Sequence, residues 1–172
     1  MPQLTYSSPS TPWAPPGSYI VRLNVDGKSY SQPMKLVLDP RVKTPASVIA
    51  QVSSLSREMY DGAVALRAAY ANARAMSARM TDARDAALKA RIDSIAPIAT
   101  RGRGFGFGFG QAPAGPPSLE SVRNTMMSAA MSMQSADVGP TQRQLDAVEK
   151  ARAQYKEVMA RWQKLAGAKP RG

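Results

Sequence analysis

Residues 101–110 read Arg-Gly-Arg-Gly-Phe-Gly-Phe-Gly-Phe-Gly, the stretch whose residue types and spacing come nearest to a recognisable chemistry. Guanidinium planes and phenyl rings stack on splayed bases of single-stranded nucleic acid, and interleaved glycine lets the backbone follow the strand. RNA-contacting segments of this type usually repeat many times, whereas this one offers Arg101, Arg103, Phe105, Phe107 and Phe109 once each. A flexible loop whose rings rest on a helical surface, or form a loose β-ribbon, is the preferred reading.

Little else in the chain could do chemistry. The 172 residues contain no cysteine and no histidine. That excludes thiolate and imidazole ligands, disulfides, catalytic cysteine and every triad that needs an imidazole base. The twelve acidic residues are scattered, with no pair inside an apolar run where a raised pKa would be expected. No catalytic, cofactor-binding or metal-binding residue is therefore assigned, and enzymatic chemistry within this chain is not expected.

The net charge of +11 is spread thinly: +1 over 1–40, +4 over 41–100, +2 over 101–117 and +4 over 118–172. Nucleic-acid modules concentrate their charge on one face or stripe. A solvated helical surface with a basic bias fits better, with weak affinity for acidic polymers as its corollary. Ten methionines, four of them at 126, 127, 131 and 133, could line a partner groove. Met126 and Met133 fall on a core stripe, however, and Met127 and Met131 off it, so core filling is preferred. Tyr155 and Trp162 read as core anchors in the same way.

The elements that would position these residues divide sharply. Tyr19, Val21, Leu23 and Val25 alternate with more polar neighbours, and Tyr30, Met34, Leu36 and Leu38 follow beyond Asp26-Gly27. This is a hairpin over 18–40 with a type I′ turn and one apolar face. Pro33 makes its arm an edge strand or places a bulge near Gln32-Pro33. An isolated two-stranded hairpin is marginal in water, so the apolar row needs a cover. Residues 1–17, rich in Ser, Thr and Pro, read as extended or disordered and carry no signal-peptide pattern.

Helix dominates from 44 onward. Thr44-Pro45 offers a hydroxyl N-cap with proline at the first helical position. A stripe running through Val52, Met59, Gly62, Leu66, Ala73 and Met80 keeps 3-4 spacing, with small residues where another helix could approach. Leu88, Ile92, Ile95 and Ile98 break the phase, which favours a turn near 81–85; one helix or two over 44–99 both remain open. Pro97 and the Gly/Pro-rich loop 100–117 end this part. Ser118 should cap a helix buried through Leu119, Val122, Met126 and Met133, closed by Gly139. Thr141 and Gln144 form a capping-box signature for a last helix, which buries Val148, Val158, Trp162 and Leu165 and stops at Gly167 and Pro170. The expected fold is mainly α with an N-terminal β-hairpin, an antiparallel bundle of three or four helices whose C-terminal helical hairpin spans 118–167. No run of about twenty apolar residues exists, so no transmembrane segment is expected.

The order of these motifs resembles the closing segment of bacterial sortilin-like, BNR-repeat β-propeller proteins, often labelled glycosyl hydrolase-like. Pro16-Gly17-Ser18-Tyr19-Ile20-Val21, Asp26-Gly27 and Asp39-Pro40-Arg41 are similar to the last two strands of that family's immunoglobulin-like sandwich. Ser135-Ala136-Asp137, Pro140-Thr141 and Trp162 resemble its helical tail. The likeness runs from about Trp13 to Leu165, and the Gly-Phe repeat is not part of it. It implies a secreted or extracytoplasmic parent, with the propeller absent from these residues and no functional position to carry over.

Two functions follow as expectations. The favoured one is a non-catalytic structural or interaction module, the C-terminal part of such a propeller protein, whose partner is the missing upstream sandwich or another protein. The alternative is a free-standing basic helical protein that binds nucleic acid or an anionic surface. If the hairpin has no partner strands, its apolar face is expected to lie against the helices.

Overall fold

A computed structural model describes residues 11–98 and 116–168; the 101–110 segment, residues 1–10 and Pro170 lie outside them. Two antiparallel strands, β1 (Gly17–Val25) and β2 (Lys28–Leu36), precede four helices: α1 (Ala46–Arg79), α2 (Ala86–Ile95), α3 (Leu119–Met133) and α4 (Gln142–Ala166). The protein is mainly α with an N-terminal hairpin, as its periodicities require.

Asp26 and Gly27 both adopt positive φ, 49° and 74°, which is the type I′ geometry that matches strand twist. Pairing then runs without interruption from Val25↔Lys28 to Gly17↔Leu36. Of the two expectations for Pro33, the bulge is therefore wrong and the edge strand is right.

Contacts along α1 fix the helical arrangement. Lys89 and Asp93 of α2 meet Ser77, and Tyr70 donates its hydroxyl to the Pro97 carbonyl at 2.8 Å. Farther toward the α1 N-terminus, Met126 of α3 crosses Gly62, and Met133 shares a cavity wall with Val52. Thus α2 and α3 follow one another antiparallel to α1. The last helix, α4, runs parallel to α1, with Arg152 beside Glu58 and Trp162 beside Met76. The result is a three-rod bundle in which α2 and α3 share one rod. Met59, Leu66, Ile92, Leu119, Val148 and Val158 are among its fully buried large side chains, and each buried aliphatic side chain contributes roughly 1.5–3 kcal/mol.

The expected turn near 81–85 is present. Met80 ends α1, and a 3₁₀ turn over Ala83–Asp85, capped by the Asp82 side chain, leads into α2. The Lys89 ammonium donates to the Ser77 carbonyl at 2.7 Å, beside the Met80 N–H that the same carbonyl accepts, at the helix end where a cation is favoured. Ser118 with Ser121, and Thr141 with Gln144, form reciprocal capping boxes at the starts of α3 and α4.

Four expectations need correction. Thr44 does not cap α1: Pro45 is the N-cap, and the Thr44 hydroxyl instead donates to the Asp137 carbonyl at 2.6 Å. Gly139 does not close α3, which ends at Met133 with Gln134 as its cap; Gly139 sits against Val48. Ile98 is 69 % exposed, because Ala96 takes the last buried position before Pro97 turns the chain away. Finally, the apolar face of the hairpin does not lie on the helices.

Candidate functional site

Alternation decides what the hairpin presents. Residues paired across an antiparallel ladder share a face, so Tyr19↔Met34, Val21↔Gln32, Leu23↔Tyr30 and Gly17↔Leu36 build one apolar side. The opposite side carries Ser18, Arg22, Asn24, Ser31 and Lys35, with Ile20 and Pro33 among them. On the apolar side Val21 is 50 %, Leu23 59 % and Tyr30 57 % exposed, although these residue types usually seek cover. A contiguous exposed apolar surface marks an interaction site more often than isolated exposed residues do.

Among the described residues, only the base of the hairpin is anchored. The Trp13 N–H donates to Gln134 Oε1, and the Tyr19 hydroxyl donates to the Pro15 carbonyl. The Thr44–Asp137 bond ties the connector after β2 to the α3–α4 turn. A cavity of about 210 Å³ lies at this junction, walled by Trp13, Leu36, Leu38, Ile49, Val52 and Met133. Half-buried Leu36 and Leu38 face the bundle, while the strands beyond them stand clear.

A second region gathers charge. Arg91 and Ser94 of α2, with Arg161 and Lys164 of α4, line a recess of about 140 Å³. Arg161 is fixed by donating to the Pro117 carbonyl at 2.8 Å. Among the described residues none of these three cations forms an ion pair. Arg91/Ser94 and Arg161/Lys164 are each three apart, so each pair shares a helix face. That spacing was the available sequence signal, but nothing in it joined helices seventy positions apart.

Two ion-pair clusters hold helices together. Arg74 donates to Asp93 Oδ1 at 2.6 Å, as does the buried Ser77 hydroxyl. The Ser77 hydroxyl above all, and then Arg74, keep the Asp93 carboxyl below its usual range. Arg152 bridges to Glu58 at 2.6 Å and also reaches Glu149. Its hydrogen bonds lower the Glu58 carboxyl in the same direction. These are α1–α2 and α1–α4 clamps.

Among the described residues, no group of three or more acidic side chains could hold a metal ion, and no helix is long and apolar enough to cross a membrane. Met126 and Met133 are buried and Met127 and Met131 half-buried, as core filling requires, and Trp162 is a core residue. The Arg101–Gly110 segment lies outside the described residues. Comparison with protein-family models, curated proteins and solved structures finds no match.

Proposed function

We propose that this chain is a non-catalytic interaction module, in which the helical bundle carries a hairpin that docks into the β-structure of a partner. One observation carries the reading: the apolar side of β1 and β2 is solvent-exposed instead of packed on the bundle beside it. Covering Val21, Leu23, Val25, Tyr30 and Met34 is worth on the order of 1 kcal/mol each at their present exposure. That gain is large beside the marginal stability of a lone hairpin. The lack of cysteine and histidine in the composition fits a non-catalytic role. The partner we favour is the β-sandwich of a larger secreted, sortilin-like propeller protein, of which this chain would be the C-terminal part.

The test is to read the DNA upstream of the Met1 codon. An in-frame stretch encoding further strands and propeller repeats is the expected result. A stop codon and ribosome-binding site immediately before Met1 would overturn the C-terminal-part reading.

The unpaired recess of Arg91, Arg161 and Lys164 favours a second reading, anion or nucleic-acid binding by the helices. RNA filter-binding at low salt is its test. Arg161→Glu with Lys164→Glu should abolish retention, and deletion of 101–110 should reduce it; unchanged retention in both would sink the idea.

A further inference from the structure

Resting on the docking reading, we infer that the hairpin accepts its partner along the outer edge of β1, as strand addition by an extended polypeptide segment bearing an acidic residue opposite Arg22. The backbone supplies the edge. Val25 and Lys28 flank a two-residue turn and so form a hydrogen-bonded pair, and antiparallel pairs alternate from there. Tyr19, Val21 and Leu23 spend their peptide groups on β2. Ser18, Ile20, Arg22 and Asn24 direct theirs outward, and no other strand meets them among the described residues.

The two outer edges are not equivalent. On β2 the outward set is Ser29, Ser31, Pro33 and Lys35. Pro33 has no N–H, and its ring crowds an incoming strand, so it blunts this edge near the middle. The β1 row has no such gap. Its end near Gly17 is held by the Trp13–Gln134 and Tyr19–Pro15 bonds, which leaves Ile20, Arg22 and Asn24 as the open length.

Charge then specifies the occupant. The strand pair and its turn carry Arg22, Lys28 and Lys35 against Asp26 alone. Among the described residues none of these three cations is in an ion pair, and the cross-strand neighbour of Arg22 is neutral Ser31. A carboxylate directly across from Arg22 on an added strand would complete the pair. Residues on the other side of that strand would extend the Val21–Leu23 surface, so they should be apolar and β-branched.

The experiment uses the full chain and a blocked peptide as long as β1, alternating threonine and valine with a central glutamate. Amide exchange by NMR is expected to slow at Ile20, Arg22 and Asn24 on peptide addition. Ile20→Pro should weaken binding by about tenfold or more, the effect of one lost edge donor, while Ser31→Pro should stay within about twofold. Because Ile20→Pro can unfold the hairpin, Arg22→Glu provides the second variant. It should weaken this peptide about three- to fivefold and restore binding of the same peptide with a central lysine.

Protection at Ser29 and Ser31, with loss in Ser31→Pro, would overturn the β1 assignment while leaving the docking reading intact. So would shifts confined to side chains of the apolar face. Protection of Ile20, Arg22 and Asn24 before any peptide is added would mean that this chain fills its own edge, and would overturn the inference. Absence of peptide binding would overturn it too, leaving intact the docking reading, which rests on the apolar face and not on the β1 edge.

Discussion

Met126 of α3 occupies the space where a side chain on Gly62 of α1 would begin: a β-carbon there would stand 2.3 Å from Met126 Cε and 2.8 Å from Sδ. The missing side chain lets the two helices close, and Met126 is 3 % exposed as a result. Gly62→Ala therefore sets a helix-propensity gain of about 1 kcal/mol against a repacking cost of similar size. In a double-mutant cycle read by urea denaturation, Gly62→Ala should be about 1 kcal/mol more favourable with Met126→Ala than with Met126 present. Equal effects in the two backgrounds would show that the crossing imposes no constraint.

The hairpin face should be energetically silent in the isolated chain. Leu23→Lys and Tyr30→Lys replace residues that are 59 % and 57 % exposed. Helix unfolding followed at 222 nm should shift by no more than about 0.5 kcal/mol, while binding of a hydrophobic dye falls. A large loss of helix stability would place the face against the bundle instead.

Acid should loosen the α1–α2 clamp. The Asp93 carboxyl is lowered by the Ser77 hydroxyl and by Arg74. A depressed carboxyl stabilises fully above its unfolded-state pKa and loses that contribution as pH falls through the folded value. Asp93→Asn should thus cost about 1 kcal/mol at neutral pH, discounted for the partial exposure of the pair, and the gap should close as the pH falls through the lowered folded-state value. A gap that persists in acid would assign the loss to packing.

The two threonine hydroxyls near helix starts should behave differently. Thr141→Ala removes a real cap and should cost about 1 kcal/mol. Thr44→Ala removes a bond to Asp137 across the junction, not a cap. Its effect should appear as faster amide exchange around 36–45 and 134–140, with helix α1 unfrayed. Fraying of the first turn of α1 would restore Thr44 to the capping role.

The sequence is legible wherever local chemistry decides the outcome. Asp26-Gly27 dictates its turn, and the Ser118 and Thr141 caps and the break after Met80 follow from side chains close in sequence. The failures were at places ruled by distant partners. Thr44 lost its capping role to a carbonyl ninety-three positions away, and the exposure of the hairpin depends on what α1 does not cover. The Arg91–Arg161–Lys164 recess joins two helices whose one-dimensional patterns look like ordinary solvated faces. Period alone also leaves the finer placement on α1 undecided, where Ala63 and Ser77 are buried and Gly62, on the stripe, only half so. At Ser77 the polar network from α2 makes that selection.

The thirty-four residues of α1 span about 50 Å as one uninterrupted rod. The hairpin meets the bundle near its first turns, whereas α2 folds back from its far end. A protein that gripped β1 would consequently stand off from the 80–85 turn by the length of α1, which would serve as a ruler between them. Inserting two full turns into α1, with matching lengths in the rods beside it, would move those two points apart by about 11 Å without altering the face that either presents.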